Sequence, residues 1–174
     1  MVKEYLLVDG YNIIFAWQEL DELARENLES ARMKLADILC NYQGYEKNEV
    51  ILVFDGHKTK GNPGSVIHYH NIDIVYTKEA QSADQYIERV AQQMGRECRI
   101  RVATSDATEQ IVILGKGAVR MSARELKLAV KAAELNIRQI TDNNRQSGRN
   151  RLMDNLPAKM AMMLEEMRLR EDGK

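Results

Sequence analysis

Short apolar runs alternate with longer amphipathic stretches along the first part of this 174-residue chain. The runs are rich in Val, Ile and Leu and are bounded by glycine or polar residues, which predicts buried strands. Five such runs lie at residues 5–8, 49–54, 72–77, 99–106 and 118–121. Because strands that alternate with helices form parallel sheets, the pattern predicts an α/β fold with about five mainly parallel strands and helices on both faces.

The amphipathic stretches predict the helices between these strands. A capping box formed by Ser82 and Gln85 begins one helix, and a second box formed by Ser122 and Glu125 begins another. Gly44 is a plausible stop for an earlier helix. The glycine-rich segment 55–65 predicts a loop. The predicted helices are residues 28–42, 82–94, 106–113 and 122–137.

The pattern changes after residue 140. Residues 141–151 are polar and show no apolar periodicity, which is typical of a linker, and residues 157–168 place methionines at helical spacing. We therefore predict a globular domain at residues 1–140 and an extension at 141–174, consisting of a polar linker and a C-terminal helix. The methionines of that helix are interpreted as core or docking contacts.

Composition narrows the function classes. The formal net charge is −1, so a globally basic nucleic-acid binder is excluded, although a local basic groove is not. Two cysteines without a CxxC motif argue against a disulfide framework or a zinc site. Glu4 interrupts any signal-peptide core, the apolar run after it is too short for one, and no run approaches the length of a membrane helix. The sequence therefore predicts a cytoplasmic protein without a membrane partner or a small-molecule cofactor.

Carboxylates follow several of the predicted strands. Asp9, Asp55 and Asp106 end three of them, and Asp84 lies in the first turn of the helix after the third. The carboxyl ends of parallel strands line one edge of the sheet, where ligands bind, so Asp9, Asp84 and Asp106 are expected to converge. Clustered carboxylates need positive compensation, and an all-oxygen set suits Mg²⁺ or Mn²⁺. Such an ion would support hydrolysis of a phosphodiester.

Simpler interpretations exist for each aspartate alone. Asp84 and Asp106 are as well explained as helix-capping residues, and Asp55 before Gly56 is better explained as a turn residue. The cluster as a whole is harder to explain by capping. In the stretch after the first strand, Gly10 would let the backbone turn sharply, and Asn12 offers an amide that could orient Asp9.

Four segments together resemble a known family. "LLVDGYNII", "EVILVFDG", "EAQSADQYIERVA" and "VATSDATEQ" follow one another as they do in NYN domains, the PIN-like nucleases, and more narrowly in the bacterial YacP group. The resemblance covers about residues 2–140, and the remainder resembles the C-terminal extension of that group. It implies a PIN-like, three-layer α/β fold and a metal-dependent endoribonuclease that acts on single-stranded RNA, with mRNA decay in contact with the ribosome as the suggested context.

The resemblance also implies roles for individual residues. Asp9, Asp84 and Asp106 match the acidic positions that hold the metal and carry catalysis. The supporting positions are matched by Asn12, Asp55, Ser105 and, from the preceding loop, Glu79.

Cations near the predicted strand ends suggest how RNA would be held. They would contact phosphates, although a solvated surface is the commoner role for any single lysine. Tyr11 would either stack on an unpaired base or pack beneath its loop. The candidate RNA-binding residues are Lys58, Lys60, Lys78, Arg120, Arg124, Arg145, Arg149, Arg151 and Tyr11.

Two functional hypotheses follow from the sequence. The leading one is a divalent-metal-dependent endoribonuclease; the alternative is an RNA- or ribosome-binding adaptor that uses the same sheet without catalysis. An aspartyl-phosphate phosphatase meets an objection, because Tyr11 occupies the position where that chemistry places its acid/base aspartate.

Overall fold

One six-stranded sheet organises the first part of the molecule. The computed structural model describes residues 2–56, 63–106 and 118–154, with side chains as far as residue 145. The strand order is β3-β4-β2-β1-β5-β6, so the N-terminal strand lies in the interior of the sheet. The strands are β1 (Glu4–Asp9), β2 (Glu49–Phe54), β3 (Ser65–Tyr69), β4 (Ile72–Tyr76), β5 (Arg99–Ala103) and β6 (Val119–Met121).

The sheet is parallel except at one edge. β1 pairs in parallel with β2 and with β5, β2 pairs with β4, and β5 pairs with β6. This confirms the predicted mainly parallel α/β fold. About five strands were predicted, and the described sheet has six; the additional one is β3, an antiparallel edge strand paired with β4. Val66 and Ile67 on β3 are 68% and 48% exposed, so the strand lacks the buried apolar signature that identified the others.

Two helices after β1 were not predicted from the sequence. Asp9 caps a helix that begins at Gly10, where the sequence had indicated only a turn. The third helix ends at Glu46 and is followed by its C-cap Lys47, a left-handed residue with φ 61°, so Gly44 lies inside this helix and is not its stop. The helices of this region are α1 (Gly10–Ala16), α2 (Gln18–Glu26) and α3 (Leu28–Glu46).

Both predicted capping boxes are present. The Ser82 hydroxyl accepts from the Gln85 amide and the Gln85 side chain accepts from the Ser82 amide, at the start of α4 (Ala83–Met94). Ser122 and Glu125 form the same pair of hydrogen bonds before α5 (Ala123–Asp154). The predicted helix at 157–168 falls outside the described part of the chain, and so does the predicted helix at 106–113 apart from its first residue, Asp106.

The prediction of a polar linker at residues 141–151 was wrong. These residues continue α5 as a helix, and the side chains described there, at 141–145, are exposed. Polar and charged residues such as Gln and Arg form helices well, so the absence of an apolar face does not indicate irregular structure. The chain divides into two compact units, Met1–Glu134 and Leu135–Lys174.

Two apolar cores lie on opposite faces of the sheet. Successive residues of β1 alternate between them: Leu6 and Val8 belong to the core beneath α1, α2, α3 and the start of α5, whereas Leu7 belongs to the core beneath α4. All three are fully buried, and burying a side chain of this size contributes roughly 1.5–3 kcal/mol. β1 is therefore fixed on both faces, which makes its carboxyl end a rigid support.

No helix in the described part of the chain is both long enough and apolar enough to cross a membrane.

Candidate active site

Asp9 is the central residue of the carboxyl edge. It ends β1 and is the N-cap of α1, and only 4% of the residue is exposed. The backbone amide of Asn12 donates to its Oδ1 atom at 3.3 Å, and the Asn12 side-chain amide donates to Oδ2 at 2.8 Å. Both carboxylate oxygens are thus oriented by one residue in the first turn of the helix.

Gly10 lets the chain pass directly from strand to helix. A Cβ atom at this position would lie 2.3 Å from Cε1 of the buried Phe54 ring, far inside van der Waals contact. The glycine is therefore required by the close approach of β2 and not by an unusual backbone angle. Phe54 packs where a side chain at position 10 would otherwise be, and this packing fixes the junction that carries Asp9.

Asp84 faces Asp9 from a different element. It lies in the first turn of α4, where the helix dipole favours an acidic residue, and it is exposed. Burial is the main reason that the pKa of Asp9 rises to about 6; hydrogen bonds from Asn12 oppose this rise, and the charge and hydrogen bonding of Asp84 add to it. Asp9 and Asp84 thus form an interacting pair of carboxyl groups at this edge of the sheet.

A cavity of about 390 Å³ opens beside this pair. It lies among the ends of β1 and β2 and the first turns of α1, α3 and α4. The volume accommodates part of a ligand rather than a whole chain. The lining residues are Asp9, Tyr11, Asn12, Phe15, Leu28, Asp55, Ser82, Ala83 and Asp84.

A hydrogen-bond relay extends from Asp9 to the neighbouring strand end. The Ser105 hydroxyl, just beyond β5, donates to Oδ1 of Asn12 at 2.6 Å, and the Asn12 amide donates in turn to Asp9. Thr104 is fully buried, and its hydroxyl accepts the backbone amide of Asp106 at 3.1 Å. Ser105 therefore fixes which way the Asn12 amide points, which makes it a positioning residue.

Tyr11 is held by packing. Its hydroxyl accepts a hydrogen bond from Arg32 at 2.9 Å, and its ring lies 5.1 Å from that of Phe54. Arg32 also pairs with Glu29 and lies over the Tyr76 ring, 5.9 Å from its centre. Of the two roles that the sequence left open for Tyr11, these contacts support packing.

The donor set fits a hard cation held by two carboxylates. Among the described residues, no group of three or more His, Cys, Asp or Glu side chains is close enough to hold a metal ion. The carboxylates that line the cavity are Asp9, Asp55 and Asp84, and neither Asp106 nor Glu79 is part of its lining. Mg²⁺ is commonly bound through one or two carboxylates together with water and substrate phosphates, so the Asp9–Asp84 pair is compatible with it.

The predicted RNA-binding cations lie in several places. Lys78 is exposed and lines a second cavity of about 260 Å³ together with Tyr86 and Arg89. Lys58 and Lys60 fall outside the described part of the chain. Arg149 and Arg151 are on the described backbone of α5 without described side chains. Exposed side chains are found at Arg120, Arg124 and Arg145.

Sequence reasoning missed Phe15, Leu28 and Arg32. Each depends on α1 or on the start of α3, and α1 itself had been interpreted as a turn. The available signal was the spacing of Ile13, Ile14, Trp17 and Leu20, which are apolar residues three or four positions apart, as on one face of a helix.

Fold and site together define an α/β domain that places its acidic residues at the carboxyl edge of a parallel sheet. The chain belongs to the YacP-like NYN domain family, whose model matches residues 6–169. It is 44% identical over 135 residues to the protein YacP of Bacillus subtilis strain 168, an alignment that covers 77% of this chain and 79% of that protein.

Solved structures agree with this assignment. The crystal structure of Rae1 (YacP) from Bacillus subtilis superposes on this chain with a TM-score of 0.70 at 37% sequence identity. The match covers 97% of this chain and 95% of the Rae1 chain. The structure of a single-substitution mutant of the same protein gives a TM-score of 0.69, also at 37% identity, and covers 94% and 99% of the two chains. Family membership is consistent with a nuclease-type function directed at RNA.

Proposed function

We propose that this protein is a divalent-metal-dependent endoribonuclease that hydrolyses phosphodiester bonds in single-stranded RNA. The observation that carries the proposal is the pair formed by buried Asp9 and Asp84 at the carboxyl edge of a parallel sheet, beside an open cavity. Two acidic groups held against each other oppose folding, so their placement is best explained by a ligand of opposite charge.

Different residues would bind the cation and orient its ligands. Asp9 and Asp84 would hold the cation, with Asn12 and Ser105 fixing the Asp9 carboxylate and Asp55 on the cavity wall. A bound Mg²⁺ or Mn²⁺ would supply positive charge to the scissile phosphate and lower the pKa of an attacking water. Asp106 remains a predicted third acidic residue from the family resemblance.

The substrate and its context are drawn from the same resemblance. We propose mRNA as the substrate and the ribosome as a partner, with the exposed cations Lys78, Arg120 and Arg124 contacting the RNA backbone. These contacts would depend strongly on salt, because each neutralised phosphate releases counterions.

The decisive experiment measures binding and cleavage of the same RNA. A fluorescently labelled single-stranded RNA is incubated with the wild-type protein, with Asp9→Asn and with Asp84→Asn, in Mn²⁺ and in EDTA. Asp37→Asn is the matched control, because Asp37 is an exposed aspartate on α3 that accepts a hydrogen bond from Tyr69 and is not part of the cavity lining. We expect the wild-type and control proteins to cleave the RNA in Mn²⁺ but not in EDTA, and the two site variants to cleave it in neither.

The result distinguishes the two hypotheses. Cleavage that is undiminished in EDTA, or in both site variants, would contradict the mechanism. RNA binding without cleavage in Mn²⁺ would favour the non-catalytic adaptor.

A further inference from the structure

An exposed aromatic ring lies beside the carboxylate pair. Phe15 is 57% exposed, although the two residues before it, Ile13 and Ile14, are fully buried. It lines the same cavity as Asp9 and Asp84. Packing in the hydrophobic core therefore does not account for an aromatic residue at this position. An exposed apolar side chain next to a polar site is typical of a contact surface.

The ring is supported from within the protein. Tyr11 lies one helical turn earlier, and the two rings stack with centres 6.2 Å apart and planes inclined by 19°. Tyr11 is in turn fixed by Arg32 and by Phe54 in the core. Phe15 is thus the outer member of an anchored aromatic series, and its face is held in a defined orientation.

Leu28 adds a second apolar wall. It is the first residue of α3, is half-buried, and lines the cavity together with Phe15. The cavity is therefore lined by two apolar side chains, Phe15 and Leu28, as well as by the carboxylates of Asp9, Asp55 and Asp84. A ligand that matches both must be flat and apolar at one end and able to meet a cation at the other, as a nucleotide unit is.

We infer that Phe15 and Leu28 form a subsite for an unpaired nucleobase of single-stranded RNA, adjacent to the phosphate at the Asp9–Asp84 pair. The inference rests on the proposed function and deepens it. The base stacks on the Phe15 ring, which accepts any base because every base has a π-face. A base stacked in a duplex cannot reach the ring, so the subsite contributes to selectivity for single strands.

The test uses oligonucleotides that lack one base. A set of labelled single-stranded RNAs, each with one abasic position, is bound to the wild-type protein in Mn²⁺ and followed by stopped-flow anisotropy before hydrolysis proceeds. We expect one abasic position to weaken binding by about 5- to 150-fold, the range of base–aromatic stacking. Phe15→Ala should weaken binding of intact RNA by a similar factor and be insensitive to the abasic site.

Three further variants make the result specific. Phe15→Trp should retain binding, whereas Phe15→Leu, which keeps an apolar side chain without an aromatic face, should not. Leu128→Ala is the control, because Leu128 is equally exposed, at 59%, but lies on α5 and outside the cavity lining. Thermal unfolding of each variant confirms that it is folded.

The outcomes separate this inference from the proposed nuclease. Intact cleavage with equal binding by wild-type, Phe15→Ala and Phe15→Leu proteins overturns the subsite and leaves the nuclease standing. Binding that depends on Phe15 without cleavage supports the subsite and rejects the nuclease. Absence of any RNA binding, or an effect of Phe15→Ala on self-association alone, overturns the subsite.

Discussion

The two ends of strand β1 carry carboxylates in opposite environments. Glu4 at the first residue is paired with arginines of the neighbouring strand: Arg99 at 2.9 Å and Arg101 at 3.8 Å. Asp9 at the last residue is almost completely buried, receives its hydrogen bonds from Asn12, and interacts with another carboxyl group, that of Asp84.

The difference indicates what each end does. A partly exposed ion pair such as Glu4–Arg99 contributes little to the stability of the fold, about 0.2–1 kcal/mol, and its charges are balanced without a ligand. The carboxyl pair at the other end opposes folding, and in the proposed function a bound cation would offset that cost. The carboxylate at one end of the strand is therefore neutralised by arginines of the chain, whereas the one at the other end lies beside a second carboxyl group.

The largest effect is expected from substituting Asp9, the buried member of the Asp9–Asp84 pair. Asp9→Asn should reduce kcat/KM for RNA cleavage by about 1,000-fold, because a metal site supplies several kcal/mol to the reaction. Glu4→Gln, at the other end of the same strand, should leave cleavage unchanged. Steady-state cleavage in Mn²⁺ measures both; equal losses in the two variants would show that the ends do not differ in function.

The junction beside Asp9 should be sensitive to added volume. Gly10→Ala places a methyl group against the buried Phe54 ring and should lower the free energy of unfolding by about 3 kcal/mol. Gly44→Ala is the control: its Cβ would meet only Asn71 Nδ2 at 3.8 Å, inside a helix, and it should raise stability by about 0.5–1 kcal/mol. Urea denaturation of both proteins distinguishes the two cases.

The charge of Asp9 should make stability depend on pH. Because its pKa rises from 3.8 to about 6 in the folded state, the folded protein binds more protons than the unfolded chain in this interval. The contribution of Asp9 to the free energy of unfolding therefore falls as the pH rises from about 4 to 6. Asp9→Asn has no such titration, so in EDTA its stability relative to wild type should increase by about 2 kcal/mol between pH 4 and pH 7.

A bound cation should reverse the stability difference between wild type and Asp9→Asn at pH 7. At pH 7, Mn²⁺ should stabilise the wild-type protein and leave Asp9→Asn unchanged, since binding to the folded state alone adds to its stability. Denaturation curves with and without Mn²⁺ test this, and a pH-independent difference between the two proteins would contradict the assignment of Asp9 as the titrating group.

The smallest effect is expected at the exposed end of β1. Glu4→Gln should cost about 0.5 kcal/mol in low salt and less in high salt, because the closer of its partners, Arg99, is exposed and its charge is screened by salt. Denaturation at two salt concentrations measures it. A loss that is unaffected by salt would show that Glu4 acts through packing and not through charge.

The sequence predicted the elements that have strong local signals. Parallel strands such as β1 are continuous apolar runs, and the α4 capping box at Ser82 and Gln85 is a local hydrogen-bond pattern, so both were recognised. The antiparallel strand β3 was missed because its pairing with β4, rather than burial, defines it. The polar end of α5 was missed because a solvated helix has no apolar stripe to detect.

The site was predictable only in part for the same reason. Asp9 and Asn12 are three residues apart, so their contact follows from local geometry. The approach of Asp84 from a distant helix depends on the register of the whole sheet, and motif order along the chain suggested it without giving the geometry. Phe15 could not be identified as a surface feature until α1 was known to be a helix.

The direct transition from β1 to α1 restricts how this region can vary. Asp9 is at once the last strand residue and the helix cap, so no loop residue lies between the two elements. Inserting or deleting one residue there would turn the carboxylate to the other face of the sheet or separate it from the Asn12 amide that it caps. The spacing of Asp9 and Asn12 is thus set by the pitch of a helical turn, and length changes must be accommodated elsewhere in the chain.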